Sequence, residues 1–386
     1  MGMNAFVLGL ASDLEQRTQR LLSLVTEHSS HPDIAEFRQS VLGRLQQARS
    51  SLHALLSSDL LVHRPLWPYA LSDYQDLFRD VALIEAFAVP ILLRYSDCDH
   101  RCHQLVTALA SEIGYPAMLI PVVTATSDQY YWAQPELCVI GVPVGDLGGI
   151  LGWPDLVHEL SHLLLDACPG FLSQFTPTVT QHFQQERDLL ADIGGLEQDS
   201  KWLAIAQIKW GEKQEGTWRV ELAADLITTY LVGPSYGWQH VRLAVNRGGD
   251  PYLPSPGYVT DHPADQARLD TVLAMLELLN LREEATDIRS RWSETLVIER
   301  HELRPQGYDL YYPQPLLTAL AQVVFAGCQA EGLVSFAEHQ NENNPGVIQL
   351  IDQAWRTFNQ ESTAYAAWEL EAIDRLKDRL SIKPSD

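Results

Sequence analysis

Apolar residues recur three or four positions apart through the first hundred residues. Two runs are clearest: Leu14, Leu21, Leu22 and Val25, then Ile34, Phe37, Val41, Leu42 and Leu45. This spacing places the apolar side chains on one face of a helix and predicts several amphipathic helices. The proline-rich segment 63–68 interrupts the pattern. Further helices are predicted over 72–92 and 99–113.

The spacing of the apolar residues changes from about residue 117 onward. Segments 118–124 and 137–142 are short, rich in β-branched residues and bounded by proline or glycine, which is typical of strands. The flanking prolines predict edge positions for both strands. Helical spacing returns after residue 149 and continues almost to the C-terminus. The pattern therefore predicts an α+β fold that is mainly helical, with a small mixed or antiparallel sheet.

Residues 152–170 predict a buried helix of about 14 residues. Pro154 suits its first turn, Asp155 complements the positive end of its dipole, and Pro169-Gly170 ends it. Leucines and a valine surround the helix on nearly every side, so its polar side chains need partners.

Two of those polar residues, His158 and His162, are four positions apart and can reach one ion. Imidazole nitrogens about 2.0–2.1 Å from the metal suit zinc. Glu159 adjoins the first ligand, where a carboxylate can act as general base on a metal-bound water. The segment resembles the His-Glu-x-x-His signature of zincin metallopeptidases.

A third ligand is expected on the helix predicted over 218–232. Glu221 and Asp225 share one face of it. Glu-x-x-x-Asp after His-Glu-x-x-His resembles the gluzincin pattern of thermolysin-like peptidases. The resemblance implies that Glu221 is the third zinc ligand and that Asp225 orients a ligand histidine, His158.

A further stretch, His262-Pro263 followed by Arg268, resembles one in the CAAX-protease/heat-shock membrane peptidase family. The resemblance implies that His262 and Arg268 are catalytic residues that help to stabilise a tetrahedral oxyanion. The same two residues suit a helix start and a salt bridge. Those relatives carry spanning helices, whereas no segment of this sequence approaches the about 18 uninterrupted apolar residues of a span.

The net charge and the cysteine content limit which binding partners and which cellular compartment are expected. Among 386 residues, 27 Lys and Arg oppose 50 Asp and Glu, a formal net charge of −23. This charge argues against a nucleic-acid partner. Five scattered cysteines, and a start without the layout of a secretory signal, predict a soluble, cytoplasmic protein. The expected partner is a peptide or protein substrate; the sequence leaves the oligomeric state open.

Other polar residues have a functional and a structural interpretation. Tyr230, Tyr236 and His240 could reach an oxyanion, although packing explains each of them as well. Segment 98–103 holds two cysteines and two histidines, but their spacing matches no structural zinc pattern. The strand over 137–142 is where zincins place the edge strand that pairs with an extended substrate.

The sequence thus predicts a zincin-like core with an active-site helix, flanked by helical regions: an N-terminal region 1–115, the core 116–282 and a C-terminal region 283–386. The predicted function is that of a zinc-dependent metallopeptidase, with Zn²⁺ held by His158, His162 and Glu221. The sequence leaves open whether this enzyme is latent or narrowly specific. The alternative is a catalytically silent zincin-like scaffold that binds a partner and holds a structural zinc.

Overall fold

The structure is a computed structural model. It describes residues 3–28, 31–58, 60, 63–116, 120–126, 128–146, 149–168, 170–192, 197–211, 218–253, 262–301, 303–340 and 346–381. Within these ranges the chain is mainly helical with one small mixed sheet of three strands, which confirms the α+β fold class.

Five α-helices precede the sheet among the described residues: α1 (Met3–Glu27), α2 (Ala35–Leu56), α3 (Trp67–Leu83), α4 (Val89–Arg94) and α5 (Asp97–Glu112). The helix predicted over 72–92 is present, and it begins earlier because Pro68 occupies its first turn. A proline there is tolerated since its missing N–H would have no partner inside the helix. A π-helical segment, Ile84–Ala88, joins α3 to α4 just before Pro90.

The sheet contains β1 (Val122–Thr126), β2 (Trp132–Gln134) and β3 (Val139–Pro143) in the order β1-β3-β2. β2 and β3 are antiparallel, with Trp132 opposite Gly141. The predicted edge position of the strand over 137–142 is wrong, because β3 has a neighbour on both sides. Its proline stands last in the strand, where a missing donor costs least.

In the part of the chain that the structure describes, twelve α-helices follow the sheet. They are α6 (Trp153–Ala167), α7 (Gly170–Asp192), α8 (Glu197–Lys209), α9 (Trp218–Val232), α10 (Pro234–Arg247), α11 (Asp265–Leu278), α12 (Arg282–Glu299), α13 (Tyr308–Tyr311), α14 (Gln314–Ala330), α15 (Phe336–His339), α16 (Val347–Gln360) and α17 (Ser362–Ser381). The two helices expected over 154–168 and 218–232 are thus α6 and α9.

The chain forms two compact units. The N-terminal unit is Met1–His103 with Val122–Thr124, and the large unit is Gln104–Pro121 with Ala125–Asp386. The division into regions 1–115, 116–282 and 283–386 stays a prediction. In the described part of the chain, no helix combines the length and the apolar character that crossing a membrane requires.

Helix α9 lies in the core of the large unit. Every residue from Glu221 to Val232 is buried. Its neighbour α6 packs closely along it: the hydroxyls of Ser161 and Thr228 lie 3.1 Å apart, and each also bonds to a carbonyl of its own helix. Because α9 has no solvent-exposed face along this stretch, its two carboxylates must find partners inside the protein.

The turn between α9 and α10 depends on Gly233, whose φ is 59° and ψ is −135°. A Cβ at this position would lie 2.5 Å from the ring of Phe336. Gly248, at the end of α10, has a similar backbone (φ 63°, ψ −171°) but nothing within 4 Å of a built Cβ. Alanine substitutions at Gly233 and Gly248 therefore allow the cost of backbone strain to be distinguished from the cost of a steric collision.

We expect both Gly233→Ala and Gly248→Ala to lower the free energy of unfolding, by about 1–3 kcal/mol for backbone strain. Gly233→Ala should lose about 1–3 kcal/mol more, because the new methyl group collides with Phe336. Urea denaturation of the parent and both variants measures the difference. Equal losses in the two variants would contradict the collision.

Candidate metal centre

The candidate metal centre brings together side chains from α6 and α9. His158 and His162 lie one turn apart on α6, with their Nε2 atoms 3.1 Å from each other. Glu221 faces them from α9: its Oε2 lies 3.6 Å from His158 Nε2, and its Oε1 lies 3.7 Å from His162 Nε2. The structure thus brings the three predicted ligands to one point inside the large unit.

The three donor groups fit a zinc ion. Two ligand atoms that are each about 2.0–2.1 Å from one tetrahedral zinc are about 3.3 Å apart. The observed separations of 3.1, 3.6 and 3.7 Å are close to that value. Glu221 Oε2 is also buried without a hydrogen-bond partner among the described residues. A buried carboxylate oxygen without a hydrogen bond is costly, and a cation would compensate it.

A hydrogen-bonded network fixes the ring of His158. Tyr236, on α10, donates its hydroxyl hydrogen to Asp225 Oδ1. The phenol oxygen can then only accept from His158 Nδ1, which lies 3.0 Å away, and Asp225 Oδ1 lies 3.3 Å from the same nitrogen. With its proton on Nδ1, His158 can present the Nε2 lone pair to a metal. The Tyr236 ring also stacks on His158, with centroids 5.6 Å apart.

Arg268 completes this network from α11. Its Nε donates to Asp225 Oδ2 at 2.8 Å, and one terminal nitrogen donates to Asp225 Oδ1 at 2.6 Å. The same nitrogen donates to the Tyr236 hydroxyl at 3.0 Å. The guanidinium is buried and engaged by these two partners. This geometry gives Arg268 a supporting position behind His158, in contrast to the oxyanion contact that the sequence suggests.

The charges of the cluster are mutually dependent. Burial raises the pKa of Glu221, but His162, His158 and His262 outweigh burial and hold that pKa well below its ordinary value. Burial likewise raises the pKa of Asp225, and Arg268 more than reverses the effect. Burial, with help from His158, lowers the pKa of His162 to about 4. His162 is therefore neutral near pH 7, which is the form that binds metal.

Burial lowers the pKa of His158, but Glu221 and Asp225 outweigh it, so its pKa is raised. Without a metal, a proton on His158 Nε2 serves as the cation beside Glu221. Metal binding to His158 displaces such a proton, since zinc takes imidazole in its neutral form. A bound zinc ion carries two positive charges, one more than the proton that it displaces.

Glu159 lies on α6 between the two histidines in sequence and is half-buried. Burial raises its pKa to about 7; His158 opposes this effect and Glu221 reinforces it. A carboxyl group with a pKa near the working pH can both accept and return a proton. The pKa values of Glu159 and Glu221 are shifted in opposite directions, which suits one of them to proton transfer and the other to metal binding.

His262 approaches the cluster from the segment before α11. Its Nδ1 lies 3.1 Å from Glu221 Oε2, although the angles do not make a hydrogen bond, and 36% of its side chain is exposed. Ala264 N–H donates to the Tyr312 hydroxyl at 3.0 Å and anchors the segment. Among the predicted site residues, His262 therefore combines contact with the cluster and access to solvent.

The remaining candidates lie elsewhere. Tyr230 donates its hydroxyl to the carbonyl of Leu333 at 3.3 Å, and His240 Nε2 bonds to the carbonyl of Asp265 at 2.9 Å. Cys102, from the cysteine- and histidine-rich segment 98–103, is buried, and no described cluster of metal-binding groups includes a cysteine.

The sequence did not reveal how Tyr236 acts. The signal for it was weak, because a tyrosine 11 positions after Asp225 in sequence could equally have been a packing residue. The sequence also did not reveal that Asp155, a buried acid on α6, accepts a hydrogen bond from Gln239 on α10. Burial raises the pKa of Asp155 to about 6. The contacts of Tyr236 with His158 and of Gln239 with Asp155 tie α10 to α6.

No protein family model matches the sequence, and no curated protein or solved structure shows significant similarity to the chain. The resemblance to zincins therefore depends on the motif residues and on the geometry that they adopt in this structure.

We expect Tyr236→Phe to weaken zinc binding about 10- to 100-fold, because the hydroxyl that orients His158 and Asp225 is lost while the stacked ring remains. Tyr230→Phe is the matched control, since it removes a buried hydroxyl that donates to the backbone carbonyl of Leu333, outside the metal centre. Competition with a chromophoric chelator measures both affinities. Equal zinc affinities in the two variants would contradict the positioning role of Tyr236.

Proposed function

We propose that the chain is a zinc-dependent metallopeptidase, with His158, His162 and Glu221 as the metal ligands. The observation that carries the proposal is the convergence of these three groups inside the protein, where one oxygen of Glu221 has no hydrogen bond to any described residue. A buried carboxylate and two imidazoles at ligand spacing are costly to assemble unless a cation joins them.

When bound, zinc supplies the Lewis acidity that makes water a nucleophile near neutral pH. Glu159 acts as the general base: its carboxylate takes the proton of the attacking water and then gives it to the leaving amine. A pKa of about 7, which burial produces, suits both transfers. Asp225, Tyr236 and Arg268 hold His158 in the ring orientation and tautomer that ligation requires.

His262 is the group best placed to face a substrate. It is partly exposed beside Glu221, so its imidazole can donate to the carbonyl oxygen that gains negative charge during attack. Arg268 supports this role indirectly, because it fixes the network from behind. The expected substrate is a peptide or protein, and the acidic surplus of the chain favours a basic one. The low cysteine content favours the cytoplasm as the compartment.

We expect Glu159→Gln to retain one zinc per chain and to lower kcat for cleavage of an unfolded protein about 10²- to 10⁴-fold, because the amide cannot accept the proton. Glu221→Ala should lose the zinc of this centre as well as activity. Asp166→Asn, an exposed change on the same helix, is the control and should leave both properties intact.

Zinc measured by elemental analysis and cleavage measured by release of new amino groups test the two properties separately. A Glu159→Gln variant as active as the parent would contradict the mechanism. Parent protein that folds but binds no zinc at this centre would contradict the proposed function as a whole.

A second candidate function is a catalytically silent scaffold with a structural zinc. The contact between His262 and Glu221 favours it, because a fourth protein ligand would close the coordination that a hydrolase keeps open for water. In this alternative the protein would act by binding a partner, and Glu159 would have no chemical role.

The variant His262→Ala distinguishes the two functions. If the protein is a peptidase, we expect its zinc affinity to be unchanged and its kcat to fall about 10²- to 10³-fold, as when an oxyanion donor is removed. If His262 is a ligand, zinc affinity falls instead. The control His301→Ala replaces a histidine outside the cluster. Titration with zinc and a kinetic assay on the same samples give the answer.

A further inference from the structure

A second group of metal-binding side chains lies in the N-terminal unit, apart from the centre described above. It consists of His31, Asp33 and His100, whose ligand atoms all lie within 4.8 Å of one another. His31 and Asp33 belong to the 3₁₀ turn around Pro32–Ile34 that connects α1 to α2. His100 lies in the first turns of α5, 67 positions after Asp33.

The geometry directs both histidines at one carboxylate oxygen. Asp33 Oδ2 lies 3.5 Å from His31 Nδ1 and is hydrogen-bonded to His100 Nδ1. The imidazole rings are 5.1 Å apart between centroids. The backbone N–H of Asp33 donates to His31 Nδ1 over 3.3 Å, a long bond that orients this ring toward the carboxylate. A metal ion would replace that bond with a stronger one.

The surroundings favour a cation. Asp97 and Asp99 lie in the first turn of α5, and Asp99 is buried, where it accepts from the amide and the hydroxyl of Ser96 at 2.7 and 2.6 Å. The ring of Tyr95 packs against His31 with centroids 5.3 Å apart. Its hydroxyl is buried without a hydrogen-bond partner among the described residues. Burial, Asp33 and Asp99 raise the pKa of Tyr95, which shows that the negative charges of both carboxylates reach this side chain.

Two imidazole nitrogens and one carboxylate oxygen form a ligand set that zinc and neighbouring divalent transition metals accept. The side chains are 33%, 26% and 32% exposed for His31, Asp33 and His100, so solvent can supply the remaining ligands. These side chains are more accessible to solvent than those of the buried centre on α6 and α9. A bound ion could therefore exchange with ions in solution.

We propose that His31, Asp33 and His100 form a second site for a divalent transition-metal ion of the zinc type, which ties the turn between α1 and α2 to α5. The ion cross-links two segments that are far apart in sequence. It therefore stabilises the N-terminal unit, by a free energy that rises with the logarithm of the ratio of zinc concentration to Kd. This second site does not depend on the proposed metallopeptidase function, because none of its residues belongs to the centre on α6 and α9.

Zinc is titrated into the full chain after treatment with a chelator, and the bound equivalents are counted by elemental analysis and by calorimetry. We expect two equivalents in the parent, one in His100→Gln, one in Glu221→Ala and none in the double variant. Asp33→Asn should behave like His100→Gln. The control His53→Gln replaces an exposed histidine of α2 in the same unit and should still bind two.

A second measurement follows hydrogen exchange of the turn around 31–34 and of the start of α5, with zinc and with chelator. Protection that zinc adds in the parent and in Glu221→Ala, but not in His100→Gln, supports the proposal. Far-UV circular dichroism without metal verifies that each variant folds, because Asp33 and His100 are partly exposed whereas Glu221 is buried.

The results separate this site from the centre on α6 and α9. Loss of zinc only in the Glu221→Ala variant, with His100→Gln equal to the parent, overturns the second site and leaves the first. One equivalent in the parent that His100→Gln removes and Glu221→Ala retains supports the second site while contradicting the proposed function. An equal loss in His53→Gln and His100→Gln indicates nonspecific binding to surface histidines and also overturns the proposal.

Discussion

The large unit depends on neutralising two carboxylates that are buried on one helix. Asp225 is fully buried and Glu221 nearly so, on a helix that is surrounded by protein along its whole inner stretch. Removing one partner of a buried ion pair costs about 3–5 kcal/mol, because the remaining charge has no solvent. The positions of α6, α10 and α11 follow from this requirement, since each of them brings a side chain to one of the two carboxylates.

The two carboxylates are neutralised in different ways. Asp225 receives two hydrogen bonds from a guanidinium that stays charged at any ordinary pH, so its environment is permanent. The ion pairs of Glu221 with described residues are instead with imidazoles, whose charge a proton or a metal ion can provide. The permanent ion pair of Asp225 and Arg268 fixes the position of His158. The exchangeable positive charge beside Glu221 can be supplied by a metal ion. On the same helix, Asp225 therefore contributes to stability, while Glu221, one turn away, is available for metal binding.

Local sequence spacing predicts what a single element determines. The pair His158 and His162 needs only one helical turn, and the helix itself was evident from Pro154 and the residues that end it. Contacts between elements left no local signal: neither the bonds of Tyr236 to Asp225 and His158 nor the burial of Arg268 follows from spacing. The central position of β3 was missed for the same reason, because flanking prolines report on single residues and not on which strands pair.

The two histidine clusters show how environment changes what the same ligands can do. His31 and His100 each have about a third of the side chain exposed, so water can screen their charges and occupy open coordination positions. His158 and Glu221 are buried in a low-dielectric surrounding, where each charge must be balanced within a few ångströms. Electrostatic effects on a reacting group are large only in the second setting. Burial, more than ligand identity, therefore suits the α6 and α9 centre to catalysis and the cluster around Asp33 to cross-linking.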